Sequence, residues 1–302
     1  MFDRILVPLD GSAQSAAALP LARMLAQACH SQLTLMRVAT SPAAGEEVAT
    51  YLARIASELQ TAELTVTTEV CSGIDVAPQI LWAARDRHVD LIVMATHGRS
   101  GMQRALMGSV AESIVAESSV PVLLVRPGGH RSTSLRKLLV ALDGTPGAAL
   151  ALGHAIALAR ATGAGIVLLQ VAVPIPLWMY SAEFGAALAM PVDPSWDDEA
   201  ARAAQGYVDA LAKRLRDLGI NAKGCARLGD VVPTIDAAAD EIEADLIVIA
   251  THARVGAARA VLGSTADAVV RTARRPVLLV RRHQGASPVG VLATSLTGGS
   301  RP

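Results

Sequence analysis

Ala95-Thr96-His97-Gly98-Arg99-Ser100-Gly101, continuing through Met102 to Met107 into Gly108-Ser109-Val110-Ala111-Glu112, is the stretch that decides the fold. It follows Leu91 to Met94, an apolar run of the kind that makes a buried parallel strand. It precedes Val110 to Ala116, whose spacing suits a helix opened by Ser109 as N-cap. Strand, glycine-bearing loop and helix start, in that order, form a recipe for holding phosphate. The loop leaves the carboxyl end of a strand, where doubly wound sheets bind ligands, and the next helix adds the positive end of its dipole. Gly98 and Gly108 would let backbone approach an anion with no side chain between them, and Ser109 could donate its hydroxyl to a phosphate oxygen. Such loops are common, so one alone does not establish a site.

Here the loop recurs. From Asp245 the chain reads Leu246-Ile247-Val248-Ile249-Ala250-Thr251-His252-Ala253-Arg254 and later Gly263-Ser264-Thr265-Ala266-Asp267. Laid on Asp90 to Glu112, it repeats Asp-Leu-Ile-Val, Ala-Thr-His, and Gly-Ser after an equal interval, which marks an internal duplication. The openings repeat too: Arg4-Ile5-Leu6-Val7-Pro8-Leu9-Asp10-Gly11-Ser12 and Lys137-Leu138-Leu139-Val140-Ala141-Leu142-Asp143-Gly144-Thr145.

The spacing Ala95-x2-Gly98-x9-Gly108-Ser109 after a strand resembles the nucleotide-binding signature of the universal stress protein family, Gly-x2-Gly-x9-Gly-(Ser/Thr). The likeness runs from about Met1 to Arg281. It implies an α/β fold of two tandem doubly wound five-stranded parallel sheets in three α/β/α layers, with strand order 3-2-1-4-5. Strands alternating with helices independently call for a parallel sheet covered on both faces. The expected division is 1–127 and 136–283 for the two domains, 128–135 for a linker and 284–302 for a disordered tail.

On the implied strand order Asp10 and the Gly98 loop face each other across the switch point. The resemblance implies that Asp10 contacts adenine or ribose, and that Pro8 lines the base pocket. Val38 ends the second strand where an adenine could lie, and Ala95, Gly98, Arg99, Gly101, Gly108, Ser109 and Val110 form the phosphate loop. ATP is the expected ligand, with Mg²⁺ held mainly by the phosphates. The bland alternative for Asp10 is a helix cap, and for Arg99 a solvent-facing loop arginine.

The matching set in the second half is Asp143, Ala250, Ala253, Gly263 and Ser264. Ala253 stands where Gly98 does. If that position needs a positive φ, its Cβ costs ~1–2 kcal/mol, comparable with the ~0.3–2 kcal/mol that a helix N-terminus returns to an anion. Ala141 in place of Pro8 further alters the base pocket. The expectation is a competent first site and a second one weaker, altered or empty. His97 and His252 match, but no carboxylate lies near in sequence to orient either, so no catalytic role is assigned.

Composition bounds the rest. The 302 residues suit two domains, and 27 basic against 27 acidic side chains leave no general attraction to nucleic acid or anionic lipid. Cys29, Cys71 and Cys225 are scattered, as buried thiols in a reducing cytosol would be. No signal peptide is visible, and Gly165 to Tyr180, broken by Gln170, Pro174 and Pro176, falls short of the ~20 apolar residues of a span. A cytoplasmic protein without membrane partners is expected. The proline-broken aromatic stretch from Val173 to Trp196 would cover a groove of its own domain or meet a partner. No P-loop lysine, Gly-x-Gly-x-x-Gly or Gly-x-Ser-x-Gly is present, which disfavours a fast ATPase, a dehydrogenase and a hydrolase.

The reading is therefore an ATP-binding, nucleotide-responsive stress regulator. Its fifth strands would pair within the chain, and a further homodimer could form. The rivals are slow ATP hydrolysis or autophosphorylation at Ser109, and an interaction scaffold whose nucleotide sites have decayed.

Overall fold

Alternating apolar runs and helical stretches fold as a βα repeat, in a computed structural model that describes residues 1–98, 107–129, 134–145, 147–175, 195–252 and 263–282. The first half contributes β1 (Arg4–Pro8), α1 (Ala13–Ala16), α2 (Leu19–Cys29), β2 (Gln32–Ala39), α3 (Gly45–Leu59), β3 (Val66–Ser72), α4 (Val76–Asp86), β4 (Leu91–Ala95), α5 (Ser109–Glu117) and β5 (Val122–Val125). The second contributes β6 (Lys137–Leu142), α6 (Ala149–Thr162), β7 (Gly165–Ala172), α7 (Ser195–Asp217), β8 (Ala222–Leu228), α8 (Val231–Glu241), β9 (Leu246–His252), α9 (Ser264–Thr272) and β10 (Val277–Arg282). The helix expected from Ala13 to Cys29 is divided: Ala17 caps the short α1, and Pro20 lies in the first turn of α2, where its missing N–H costs nothing.

Each half has the order 3-2-1-4-5, and the halves join into one ten-stranded sheet, β3-β2-β1-β4-β5-β10-β9-β6-β7-β8. The junction is antiparallel, Leu123 opposite Leu278 and Val122 opposite Leu279. All other pairings are parallel. Alternate strand residues feed two apolar layers. Ile5, Val7, Leu33, Leu35, Leu138 and Val140 pack with α2, α3, α6 and α7. Leu6, Met36, Ile92, Leu139 and Ile247 pack with α4, α5, α8 and α9. Burial on both faces is what a parallel sheet requires, and it gives three layers.

Two arginines reinforce the junction. Arg126, just after β5, donates to the carbonyls of Arg271, Thr272 and Ala273 at the end of α9. Its counterpart Arg281 in β10 donates to the carbonyl of Ser118 at the end of α5. Each cation sits at the negative end of the other half's helix, where the last carbonyls lack intrahelical partners.

Cys71 is buried, while Cys29 and Cys225 are half-buried, so the expectation of three buried thiols holds for Cys71 alone. Burial raises the pKa of the Cys29 and Cys71 thiols. Among the described residues, no helix is long and apolar enough to cross a membrane. Most of the stretch from Val173 to Trp196, the tail from 284 and residues 130–133 of the expected linker lie outside the described residues.

Candidate nucleotide-binding crevices

At the carboxyl end of β1 the chain turns through Asp10-Gly11-Ser12. Gly11 has φ 86°, a left-handed conformation in which an L side chain would be strained. The Ser12 amide donates to Asp10 Oδ1 at 2.9 Å, its hydroxyl to the same oxygen at 2.6 Å, and the Ser15 amide donates to Ser12 Oγ at 3.1 Å. Ser12 is thus the N-cap of α1, and Asp10 orients the cap rather than replacing it. The turn is built again after β6: Gly144 has φ 76°, and the Thr145 amide and hydroxyl donate to Asp143 Oδ1 at 2.8 and 2.5 Å.

Asp10 meets the loop that follows β4. A β-carbon on Gly98 would stand 2.2 Å from Asp10 Oδ2 and 3.2 Å from its Cγ. Gly98 does not have a left-handed φ, and neither does Gly108, at φ −65° and ψ 147°. The conditional argument that a positive φ is what demands glycine at position 98 is thereby corrected: this glycine makes room for a carboxylate. The Gly98 position consequently supplies no conformational penalty to charge against Ala253.

Ser109 was expected to cap α5. The N-cap is Gly108, with no side-chain cap bond, and Ser109 is the exposed first residue of the helix. Ser264 likewise opens α9 behind an N-cap at Gly263. The first-turn amides are left without a capping side chain, as an anion-binding helix start requires.

Pro8 ends β1, buried and opposite Met36. Val38, paired with Cys71, and Val110 on α5 are half-buried against the same apolar layer. Ala95 ends β4 and is buried. The structure thus brings Asp10 against Gly98 and sets Gly108 beside Thr96, while Pro8 and Ala95 end β1 and β4, and Val38, expected to end the second strand, is followed by one more paired residue, Ala39. Arg99, Gly101 and Ala253 lie outside the described residues.

Thr96 was not assigned a role in the sequence. It is buried, its amide donates to the Val125 carbonyl, and its own carbonyl accepts the Gly108 amide at 2.9 Å. The Ala-Thr-His repeat was the signal that could have drawn attention to it. In the second half the arrangement changes: the Gly263 amide donates to Thr251 Oγ1 at 3.3 Å.

The strands that flank the crevices also differ. β1 and β4 pair only at Ile5 with Leu91 and Leu6 with Ile92. β6 and β9 pair at the matching positions and go on through Val140 with Val248 and Ala141 with Ile249. β4 and β5 part after Ala95 and Val125, whereas β9 and β10 continue past the matching Ala250 and Val280 to His252 and Arg282. The first crevice opens lower in the sheet than the second. Among the described residues, no three His, Cys, Asp or Glu side chains come together as metal ligands.

The profile of the universal stress protein family matches residues 1–126 and 134–281. A universal stress protein of Mycolicibacterium smegmatis is 28% identical over 301 residues, which cover 92% of this chain and 96% of that one. The universal stress protein YxiE of Bacillus subtilis is 29% identical over its whole length and 42% of this chain. Among solved structures, a universal stress protein from Archaeoglobus fulgidus superposes with a TM-score of 0.69 at 19% identity, covering 94% of this chain and 100% of that one. One from Pseudomonas aeruginosa does so with a TM-score of 0.68 at 20% identity, covering 98% and 96%.

Proposed function

Because the chain belongs to the universal stress protein family, we propose that it is a nucleotide-responsive regulator whose N-terminal crevice binds ATP. The observation that carries this reading is the contact of Asp10 with Gly98, two signature residues far apart in sequence that meet where β1 and β4 diverge. The triphosphate would lie along the Gly98 to Gly108 loop, against the first-turn amides of α5. The adenine would rest by Pro8 and Val38, and the ribose by Asp10. Arg99, Gly101, Ser109 and Val110 complete the proposed lining. Mg²⁺ would be held by the phosphates rather than by a cage of side chains.

The C-terminal crevice, with Asp143, Ala250, Ala253, Gly263 and Ser264, binds more weakly or takes another ligand. The domains span 1–127 and 136–283, joined by 128–135, and act as an internal pair in the cytoplasm through β5 and β10. A further homodimer is part of the proposal. No observation in the structure favours hydrolysis, autophosphorylation or a scaffold role over this reading.

Calorimetric titration with Mg²⁺–ATP tests it. Wild-type protein should bind, Gly98→Val should lose at least about tenfold in affinity, and Asp143→Ala should leave that binding unchanged. A tenfold loss is ~1.4 kcal/mol, well within what crowding Asp10 out of place can cost. Absence of heat up to millimolar ATP, where binding is worth only ~4 kcal/mol, would overturn the reading.

A further inference from the structure

The outermost strands of the sheet, β3 in the first half and β8 in the second, hold matching places, and their outer edges are finished differently. In β3 the odd-numbered residues exchange bonds with β2: the Leu33 amide meets the Thr65 carbonyl, and the Gly73 amide meets that of Ala39. The amides and carbonyls of Val66, Thr68, Val70 and Ser72 therefore face outward. The same alternation turns Ala222, Gly224, Ala226 and Leu228 of β8 outward, since the Ile166 amide meets Asn221 and the Gly229 amide meets Ala172.

β8 is closed by its own helix. Arg216 of α7 donates from Nη1 to the Ala222 carbonyl at 2.7 Å, the Ala226 amide donates to Gln205 Oε1 at 2.7 Å, and Gln205 Nε2 reaches the Gly224 carbonyl at 3.5 Å. Gln205 thus stands in for a neighbouring strand. Gly224 lets α7 come this close, because a β-carbon there would be 2.8 Å from the Val208 backbone. At the corresponding places the first half has Ala49, Gln60 and Thr68. Ala49 has no side-chain atom to bond with, Gln60 accepts only the Val66 amide, at 3.1 Å, and Thr68 is exposed. Among the described residues, no partner meets the Val66 carbonyl or the amides and carbonyls of Thr68 and Val70. Val70 and Ile74, and Trp82 on α4, are large apolar side chains left exposed in the same βα unit.

We propose that the β3 edge is the surface through which two copies of this chain pair, antiparallel about a two-fold axis, with Thr68 opposite the partner subunit's Thr68 and Val66 opposite the partner subunit's Val70. An open edge is a template for another strand, and this one complements itself. On the α3 face the register sets β-branched side chains against each other, as sheet-stabilising cross-strand pairs do. On the α4 face Glu69 falls opposite a threonine, whereas centring the pair on residue 69 would set two carboxylates face to face. The central threonines exchange both of their hydrogen bonds. Each Val70 amide reaches the Val66 carbonyl across from it, while Gln60 keeps the Val66 amide.

The sealed β8 edge also points to a second copy. With both edges open, β3 of one chain could add to β8 of the next and the assembly would run on as a fibre. With β8 closed, pairing through β3 stops at two. Such a dimer is the further homodimer of the functional reading above, and it needs no nucleotide.

Sedimentation velocity of the full chain, run without nucleotide across the micromolar range, reads the association. Two variants change the edge and spare the bonds that hold β3 to β2. Ala49→Gln copies Gln205 onto an exposed position of α3, and Val70→Pro removes an outward amide. Thermal unfolding establishes that each is folded. We expect wild type to dimerise and both variants to raise the dimer dissociation constant at least about tenfold. A wild-type monomer throughout that range overturns the dimer and leaves the ATP reading standing. A dimer that both folded variants retain at wild-type strength puts the interface elsewhere and overturns the role of β3.

Discussion

The first crevice is flanked by two prolines, and the second has neither. In β1 the Leu9 amide donates to Met36 in β2, so the amides that alternate with it, including position 8, face β4. Pro8 has no N–H to give, and the β1–β4 ladder stops at Leu6 and Ile92. Ala141 holds the same place in β6, and there the ladder runs on to Ile249. On the other side of β4 the Thr96 amide reaches Val125, and the next donor due is position 127, again a proline. Arg282 takes that place in β10, and pairing continues to His252. One consequence is local. Thr96 keeps its carbonyl for the Gly108 amide, whereas the ladder occupies that of Thr251, and Gly263 turns to the Thr251 hydroxyl instead. Two missing N–H groups thus part β4 from both neighbours early, at the end of the sheet where a ligand would enter.

Exchanging those residues gives the largest effects. Ala141→Pro should cost about 3 kcal/mol of stability, because it removes a donor from a strand paired on both sides, and should uncouple the upper part of β6 from β9. Pro8→Ala should gain about 1 kcal/mol as the β1–β4 ladder extends, and should weaken ATP several-fold. Urea unfolding and ATP titration read both. If Pro8→Ala leaves stability and affinity where they were, the prolines are incidental to the shape of the crevice.

That comparison also shows how far the sequence could be read. The duplication followed from patterns that repeat, namely apolar runs, Asp-Gly-(Ser/Thr) turns and the Ala-Thr-His signature, while the strand order within each half, and with it the opposition of Asp10 to the Gly98 loop, followed from the family resemblance. The roles of individual residues were less legible. Gly98 was weighed for its backbone freedom, yet it is held by the room Asp10 requires, a contact across the sheet that no local pattern records. Ser109 has the composition of an N-cap, but Gly108 takes the position because its amide is tied back to Thr96. Pro8 was taken as pocket lining. Its effect on pairing depends on which way its nitrogen faces, and that is fixed by register rather than by residue type.

A second matched pair is Leu21 of α2 and His154 of α6, where a hydrocarbon is replaced by an imidazole. The ring lies 5.7 Å from that of Phe2, with Nδ1 enclosed and without a partner. Burial lowers its pKa to about 4, and the Met1 ammonium adds to the shift. The folded value lies below the unfolded one of 6.5, so the unfolded chain takes up the proton first. Stability from this group is full above pH 6.5 and declines as pH falls toward 4, by roughly 3 kcal/mol in all. His154→Leu, which copies Leu21, should flatten the unfolding free energy across that window. An unchanged slope would mean that the ring is solvated in the folded protein.

The smallest expected difference is at the ends of α2 and α6. Both helices close on a left-handed residue: His30 at φ 53° and ψ 43°, its amide meeting the Ala26 and Gln27 carbonyls, and Gly163 at φ 74°, its amide meeting Ala159. The geometry is shared, and only the second half uses the residue that adopts it without strain. A β-carbon on Gly163 would touch nothing within 4 Å, so Gly163→Ala isolates the backbone term and should cost about 1 kcal/mol. His30→Gly should move the other way, but by less, about 0.5 kcal/mol. It relieves the strained φ while adding conformational freedom to the unfolded chain, and these oppose each other. Unfolding midpoints of the two variants, measured side by side, should therefore shift in opposite directions and by unequal amounts. Equal and opposite shifts would mean that the imidazole adds nothing beyond its β-carbon at position 30. A loss in His30→Gly would mean that the imidazole makes a favourable contact in the fold strong enough to outweigh the strain of its backbone.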